Sequence, residues 1–200
     1  ISSPTNNNTP TITGTSDALS DIYIFIGNTI IGQLGGGSNA SGVWSITTNS
    51  LSEGSHTIYA KAYDSVGNAS GSSASQTIVI DTTAPSAPVI NTINPTNSTY
   101  PTITGTGVTG DTITLFVDGF TLWPTNTVAS NGTWTITLSS ILADGPRTIT
   151  AKATDQVGNV SAASIAQTIF IDATAPSAPI INTITTPTTD NTPTITGSGV

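Results

Sequence analysis

The chain has 200 residues and a formal net charge of −8, with three basic side chains set against eleven acidic ones. So few cations exclude a nucleic-acid partner, because almost nothing is present to neutralise phosphate charge. The carboxylate surplus suits hard divalent cations, which prefer oxygen ligands. There is no cysteine, and no apolar run approaches the roughly 18 residues that would span a membrane.

Taken in chain order, the elements repeat. PTITGT opens at Pro10 and again at Pro101, 91 positions on, and returns as PTITGS at Pro193. GVWSIT around Trp44 matches GTWTIT around Trp134. AKAYDSVGN, with Asp64, matches AKATDQVGN, with Asp155, and IDTTAPSAP from Ile80 matches IDATAPSAP from Ile171. A long and nearly constant period means tandem copies of one domain. The units are read as 1–81, with a truncated first strand, then 82–172, then 173–200, the start of a third. The first residue is Ile1, not Met. That predicts a piece of a longer polypeptide, with any export signal or anchor outside it.

Within a unit the apolar residues alternate and Thr, Val and Ile are frequent, while helix periodicity is absent. In the second copy this predicts seven strands: 89–93, 102–107, 112–118, 121–129, 133–139, 147–155 and 164–172. Turn signals such as Asp118-Gly119, Asn131-Gly132 and Asp144-Gly145-Pro146 separate them. Seven short strands in about 90 residues predict an all-β fold, tandem immunoglobulin-like seven-strand β-sandwiches. Trp44 and Trp134 fall at matched strand positions and are expected in the cores. The linkers carry two prolines each and are expected to be short, extended and semi-rigid. The third copy stops after two strands, and a lone strand pair is marginal in water. It is expected to be frayed or to borrow a neighbour's edge.

PTITGT, the mid-strand tryptophan, AKAxDxxGNxS and the terminal IDTTAPSAP together resemble the bacterial immunoglobulin-like repeats of large secreted adhesins. The likeness runs along the whole chain. It implies extracellular or bacterial cell-surface spacer domains, secreted without disulfides, several of which bind calcium at repeat junctions. The cofactor it implies is Ca2+. Related repeats often carry an acid shortly after the first Gly-Thr, as Asp17 follows here; the second copy has Val108 there, with Asp111 nearby.

In such a sandwich the second-to-third and sixth-to-seventh strand loops lie where the chain comes in. Asp111 and Asp155 should then face Asp81 of the linker, and with Asn159 and backbone carbonyls they would supply oxygens for calcium. The matching set for the next junction is Asp172 and Asp190. In the first copy it is Asp17, Asp21, Asp64 and Asn68. The same Asp and Asn residues also suit plain turns, the reading that Asp118 and Asp144 favour.

Catalytic signals are missing. His56 is the only histidine, so no Ser/His/Asp triad repeats with the domain. No G-x-S-x-G elbow exists, and Gly35-Gly36-Gly37 has no following Lys, so it is a hairpin tip and no phosphate loop. Thr-x-Thr pairs such as Thr102/Thr104 and Thr135/Thr137 raise an ice-binding reading, but the sequence scatters them over different strands. The chain reads as non-enzymatic spacer repeats that project a distal binding domain, with neighbouring repeats of the same chain as partners. Two alternatives stand: direct binding of glycan or host protein, with unmatched Trp123 as the contact, or an accessory module of an extracellular enzyme.

Overall fold

The computed structural model describes all residues except 1, 184–188, 190 and 200, and at 122–124 it describes the backbone alone. Asp190 therefore lies outside the described residues, as does the side chain of Trp123.

The first repeat contains β1 (Thr11–Thr15), β2 (Asp21–Ile26), β3 (Thr29–Leu34), β4 (Val43–Thr47), β5 (Gly54–Tyr63) and β6 (Gln76–Ile80). They form a β1-β4 pair facing a four-stranded sheet of order β3-β2-β5-β6. The second repeat contains β7 (Val89–Ile90), β8 (Thr102–Thr106), β9 (Thr112–Val117), β10 (Phe120–Thr127), β11 (Thr133–Thr137), β12 (Gly145–Thr154) and β13 (Gln167–Ile171). Its sheets are β11-β8-β7 and β10-β9-β12-β13. All seven predicted strands are present. Two more, β14 (Ile180–Ile181) and β15 (Gly197–Ser198), pair with each other at the start of the third repeat. Among the described residues no edge is borrowed there.

Alternation builds each sandwich. In β9, Ile113, Leu115 and Val117 are buried, while the intervening residues face outward. One such face from each sheet closes a core. There are two separate cores, one around Trp44 with Ile22, Ile24 and Ile78, the other around Trp134 with Ile113, Leu115 and Ile149. Trp134 is 2% exposed and Trp44 8%. The Trp134 indole N–H donates to the Thr106 carbonyl at 3.1 Å, and its ring lies over Gly105, where an added Cβ would come within 2.3 Å.

Four local readings change. The strand expected at 89–93 stops at Ile90, because the chain then crosses to the other sheet, where Thr96 makes a parallel bridge with Ile171. The expected strand at 164–172 starts only at Gln167. Before it, the hydroxyls of Ser161 and Ser164 accept the amides of Ala153 and Ala151 at 2.8 and 2.9 Å, while the two serine amides donate to the Ala153 and Ala151 carbonyls at 2.9 and 2.8 Å. Ser70 and Ser73 do the same for Ala62 and Ala60. Third, the threonines of β8 and β11 are stacked, while Thr112/Thr114 and Thr148/Thr150 stand on the other sheet. Antiparallel register sets Thr102, Thr104 and Thr106 opposite Thr137, Thr135 and Thr133, all outward. The Thr102 and Thr137 hydroxyls meet at 2.8 Å. Cross-strand pairs of this kind stabilise the sheet. The glycine run 35–37 is also no hairpin tip: it follows β3 on the crossover to β4, and the β2–β3 hairpin turns at Gly27-Asn28.

Candidate functional site: the junction between repeats

The Asp-x-x-Gly-Asn loop is built identically in both repeats. Asp155 Oδ1 accepts the amides of Val157 and Asn159, each at 2.9 Å, and Oδ2 accepts the Asn159 side-chain amide at 2.8 Å. Gly158 takes φ +95°, a left-handed conformation that glycine adopts without penalty. Asp64 holds Val66 and Asn68 by the same three bonds, and Gly67 takes φ +92°. The glycine alone carries the positive φ; the asparagine serves instead as a strut back to the aspartate.

One bond separates the copies. The Asn159 side-chain amide has a second hydrogen, which it donates to the Asp81 main-chain carbonyl at 2.8 Å. This bond joins the second repeat to the last residues of the first. The Asn6 side chain also approaches this loop, 3.4 Å from where a Cβ on Gly158 would stand.

Asp111 sits beside Asp155. It is 5% exposed, and its Oδ2 is buried without a hydrogen-bond partner among the described residues. Burial, followed by the negative charge of Asp155, pushes its carboxyl above the ordinary carboxylate value. Burial acts on Asp155 as well, but bonds from Asn159, Val157 and Gly158 outweigh it and hold that group below its ordinary value. A buried acid with an orphaned oxygen next to a second carboxylate lacks positive charge. Its donor chemistry, two carboxylates and a nearby main-chain oxygen of Asp81, fits a hard cation.

The other candidates lie apart. The Asp81 amide donates to Thr5 at 2.9 Å and its Oδ1 accepts from Thr83 at 3.3 Å, so its side chain turns along the linker. Asp17 is exposed, and its carbonyl accepts the Ser16 and Ser38 hydroxyls. Asp21 accepts the Gly36 amide at 3.0 Å. Asp172 is exposed, with its amide donating to Thr96 at 3.0 Å. Among the described residues no group of three His, Cys, Asp or Glu side chains gathers to hold a metal.

Two acids at the trailing pole were missed by sequence reasoning. Glu53 Oε2 accepts the amide and hydroxyl of Thr82 at 2.9 and 2.7 Å. Asp144, read as a turn residue, accepts the Ala173 amide at 3.0 Å and the Thr174 hydroxyl at 2.5 Å. Each ties the first linker residues back to the repeat they leave. The sequence shows no more than a repeated acid directly before glycine, Glu53-Gly54 and Asp144-Gly145, 91 positions apart, which equally marks a turn. Asp118 does make its turn, at φ +51°, and also accepts Arg147 and the Thr148 amide.

With this geometry in place, the comparisons with known proteins give the class. The model of the bacterial Ig-like domain matches residues 2–82 and again 89–173. The chain therefore belongs to the bacterial Ig-like domain family and carries two tandem copies of it. Among solved structures it is similar to the BSP domain of a biofilm-associated protein, at 24% identity and TM-score 0.37, over 86% of this chain and 29% of that one. It is similar to fibronectin(III)-like modules of CbhA from Clostridium thermocellum, at 17% identity and TM-score 0.49, over 84% and 91%. A third likeness is to a Ca2+-stabilized adhesin with which an Antarctic bacterium binds ice, at 22% identity and TM-score 0.44, over 88% and 47%. The chain spans under a third of the biofilm protein's chain and about half of the adhesin's. No curated protein matches it. Among the described residues no helix is long and apolar enough to cross a membrane.

Proposed function

We propose that these are non-catalytic spacer repeats of a bacterial cell-surface or secreted adhesin, working outside the cell and projecting a distal binding domain, with units at 1–81, 82–172 and 173–200. The observation that carries this reading is the clamped linker. Glu53 holds its first residue to the repeat behind, while Asn159 of the repeat ahead holds the Asp81 carbonyl. Beyond both contacts the Pro85 and Pro88 rings fix φ on the way into the next repeat. A module used for length needs such a joint more than it needs a pocket.

Calcium at the junction is part of the proposal. Asp111 and Asp155 would hold it through their carboxylates, with the Asp81 carbonyl and water supplying further oxygens. Bound there, the ion supplies the charge that the buried pair lacks and stiffens the joint. Calorimetric titration with calcium, together with small-angle scattering with and without chelator, tests this on wild type, Asp81→Ala and Asp111→Asn. Wild type should give binding heat and a longer, narrower particle in calcium. Asp111→Asn should lose both, yet be no less stable than wild type in chelator. Asp81→Ala keeps its main-chain carbonyl and should retain binding. No heat and an unchanged maximum dimension for wild type would leave rigidity to the clamped prolines alone.

A further inference from the structure

The two repeats differ on the outer face of the four-stranded sheet. Alternation turns Ile22, Ile24 and Ile58 into the first core and leaves Asp21, Tyr23 and Phe25 of β2 and Tyr59, Lys61 and Tyr63 of β5 on the outward side. Register sets Phe25 opposite Tyr59, Tyr23 opposite Lys61 and Asp21 opposite Tyr63. Three of the chain's four tyrosines thus share one face. The second repeat, 91 positions on, has Thr114, Thr150 and Thr154 in their places. Where the first has Phe25 it keeps Phe116, and there the Lys152 ammonium stands over the ring, 5.9 Å from its centre.

Two aromatic pairs brace the face of the first repeat. Phe25 and Tyr59 stack, with ring centroids 5.2 Å apart and planes 11° from parallel. Tyr23 and Tyr63 meet edge to face, at 5.1 Å and 77°. Both are favoured aromatic geometries. The Tyr59 hydroxyl donates to the Gly27 carbonyl at 2.6 Å, which ties its ring to the β2–β3 turn. A cleft of about 390 Å³ opens beside Tyr23, Phe25, Ile30 and Tyr63, with Asp21 and Asp64 in its wall. Both carboxylates are held in place. Asp21 accepts the Gly36 amide at 3.0 Å, and Asp64 accepts the amides of Val66 and Asn68 at 3.0 and 2.8 Å. Groups fixed before binding lose little freedom when a ligand arrives.

The lining selects the class of ligand. An anion would meet two carboxylates. A cation is opposed by Lys61, which stands opposite Tyr23 on the same face. A purely apolar molecule would strip water from Asp21 and Asp64 and put nothing in its place. A neutral sugar ring suits both halves of the cleft. Its C–H face lies on aromatic rings whose faces carry partial negative charge. Its hydroxyls donate to carboxylates that have about four lone-pair sites each. The flank also stays open within an array: Thr114, Phe116 and Thr154 of the second repeat are only half-buried although a repeat stands ahead of them.

We propose that this face of the first repeat is a binding site for a neutral saccharide, with one ring seated against Tyr23 and Tyr63 and its hydroxyls on Asp21 and Asp64. Apolar ground with a few convergent polar groups is the usual make-up of a small-ligand site. The site goes beyond the spacer role and needs no calcium. It belongs to the first repeat alone of the two, because threonines replace its tyrosines in the second.

A glycan array probed with the full 200-residue chain tests this, with neutral, sialylated and sulfated oligosaccharides printed side by side. Chelator in the buffer keeps the junction between repeats out of the readout. Wild type should retain neutral glycans and pass over both acidic sets. The neutral glycan retained best is then titrated calorimetrically. Tyr23→Thr combined with Tyr63→Thr should weaken its binding by about tenfold or more; the second repeat carries threonine at both places, so the sheet accepts the change. Asp21→Asn keeps an acceptor for the Gly36 amide and should weaken binding by a smaller factor. Tyr100→Thr, an exposed tyrosine of the second repeat, should bind like wild type. No neutral glycan retained by wild type overturns the site. Preference for either acidic set overturns the class of ligand. Binding that survives the double tyrosine change, or that falls as far in Tyr100→Thr, overturns its place on this face. Unchanged binding in Asp21→Asn overturns the carboxylate as the partner of the sugar hydroxyls.

Discussion

The first and second repeats share a strand plan and nearly every motif, yet matched side chains stand in different surroundings, and the positions that match Val89 and Ile90 fall ahead of Ile1. The second is covered along one edge by Val89 and Ile90, and beneath that cover Ala151, Ala153, Ser161 and Ser164 are buried. Their counterparts Ala60, Ala62, Ser70 and Ser73 are half-buried or exposed. At the leading pole the second repeat buries Asp111 where the first has Ser20. Motif identity therefore does not fix environment. The segment that precedes a repeat completes its core, and the junction decides which of two identical loops makes a contact outside its own domain.

The largest test of this contrast is in the cores. Trp134→Ala should cost about 3–5 kcal/mol in urea unfolding. Trp44→Ala should cost somewhat less, since Trp44 is 8% exposed against 2% for Trp134. A loss under about 1 kcal/mol for Trp134→Ala would contradict its place in the core.

Glycine substitutions sharpen the same comparison. The atoms nearest to an added Cβ at Gly14 are those of the Trp44 ring, from 2.3 Å, whereas at Gly105 the Val89 carbonyl stands nearest, at 2.0 Å, with the Trp134 ring next. Overpacking of this kind typically costs about 1–3 kcal/mol, and Gly105→Ala should lie at the upper end. It should also free β7, seen as faster hydrogen exchange at the Asn91 amide. Equal costs with unchanged exchange would mean that the strand yields without loss.

A smaller effect separates the loops. Asn68→Ala and Asn159→Ala each remove a strut to an aspartate, but only the second removes a bond between repeats. Asn159→Ala should therefore be worse by about 1 kcal/mol, the net worth of one hydrogen bond. Scattering should also show a wider distribution of inter-repeat angles for that variant alone.

Much of this was legible in the sequence. Alternation at β9 and β11 located the sheets, the 91-residue period paired Trp44 with Trp134, and the loop topology placed Asp111 and Asp155 at one pole. Other features were not, because they depend on what lies opposite. Register alone stacks Thr102, Thr104 and Thr106 against their partners on β11. Whether Asn159 differs from Asn68 depends on the Asp81 carbonyl, a main-chain group that no motif displays. Asp144 looked like any acid before glycine in a turn, and only the path of the linker turns it into a clamp.

The smallest effect concerns pH at those clamps. Hydrogen bonds to the carboxylate, first from the Thr174 side chain and then from the Ala173 amide, hold Asp144 below its ordinary value. Glu53 is lowered first by the Thr82 amide and then by the Thr82 hydroxyl. A carboxyl whose pKa is depressed by folding stabilises the folded state above its unfolded-state value, and loses that contribution as pH falls through the folded-state value. Both clamps should thus be complete at neutral pH and released below the ordinary carboxylate range. Glu53→Gln and Asp144→Asn keep an acceptor oxygen but no charge, so each should flatten the acid limb of its own repeat's stability curve. Because both acids are exposed to solvent and salt, the change in slope should be slight. Glu53→Gln should loosen the described junction, while Asp144→Asn acts on the next linker and should leave scattering from the first two repeats unchanged. An acid limb identical to wild type in both variants would show that the clamps hold the linker through hydrogen-bond geometry, with no contribution from charge.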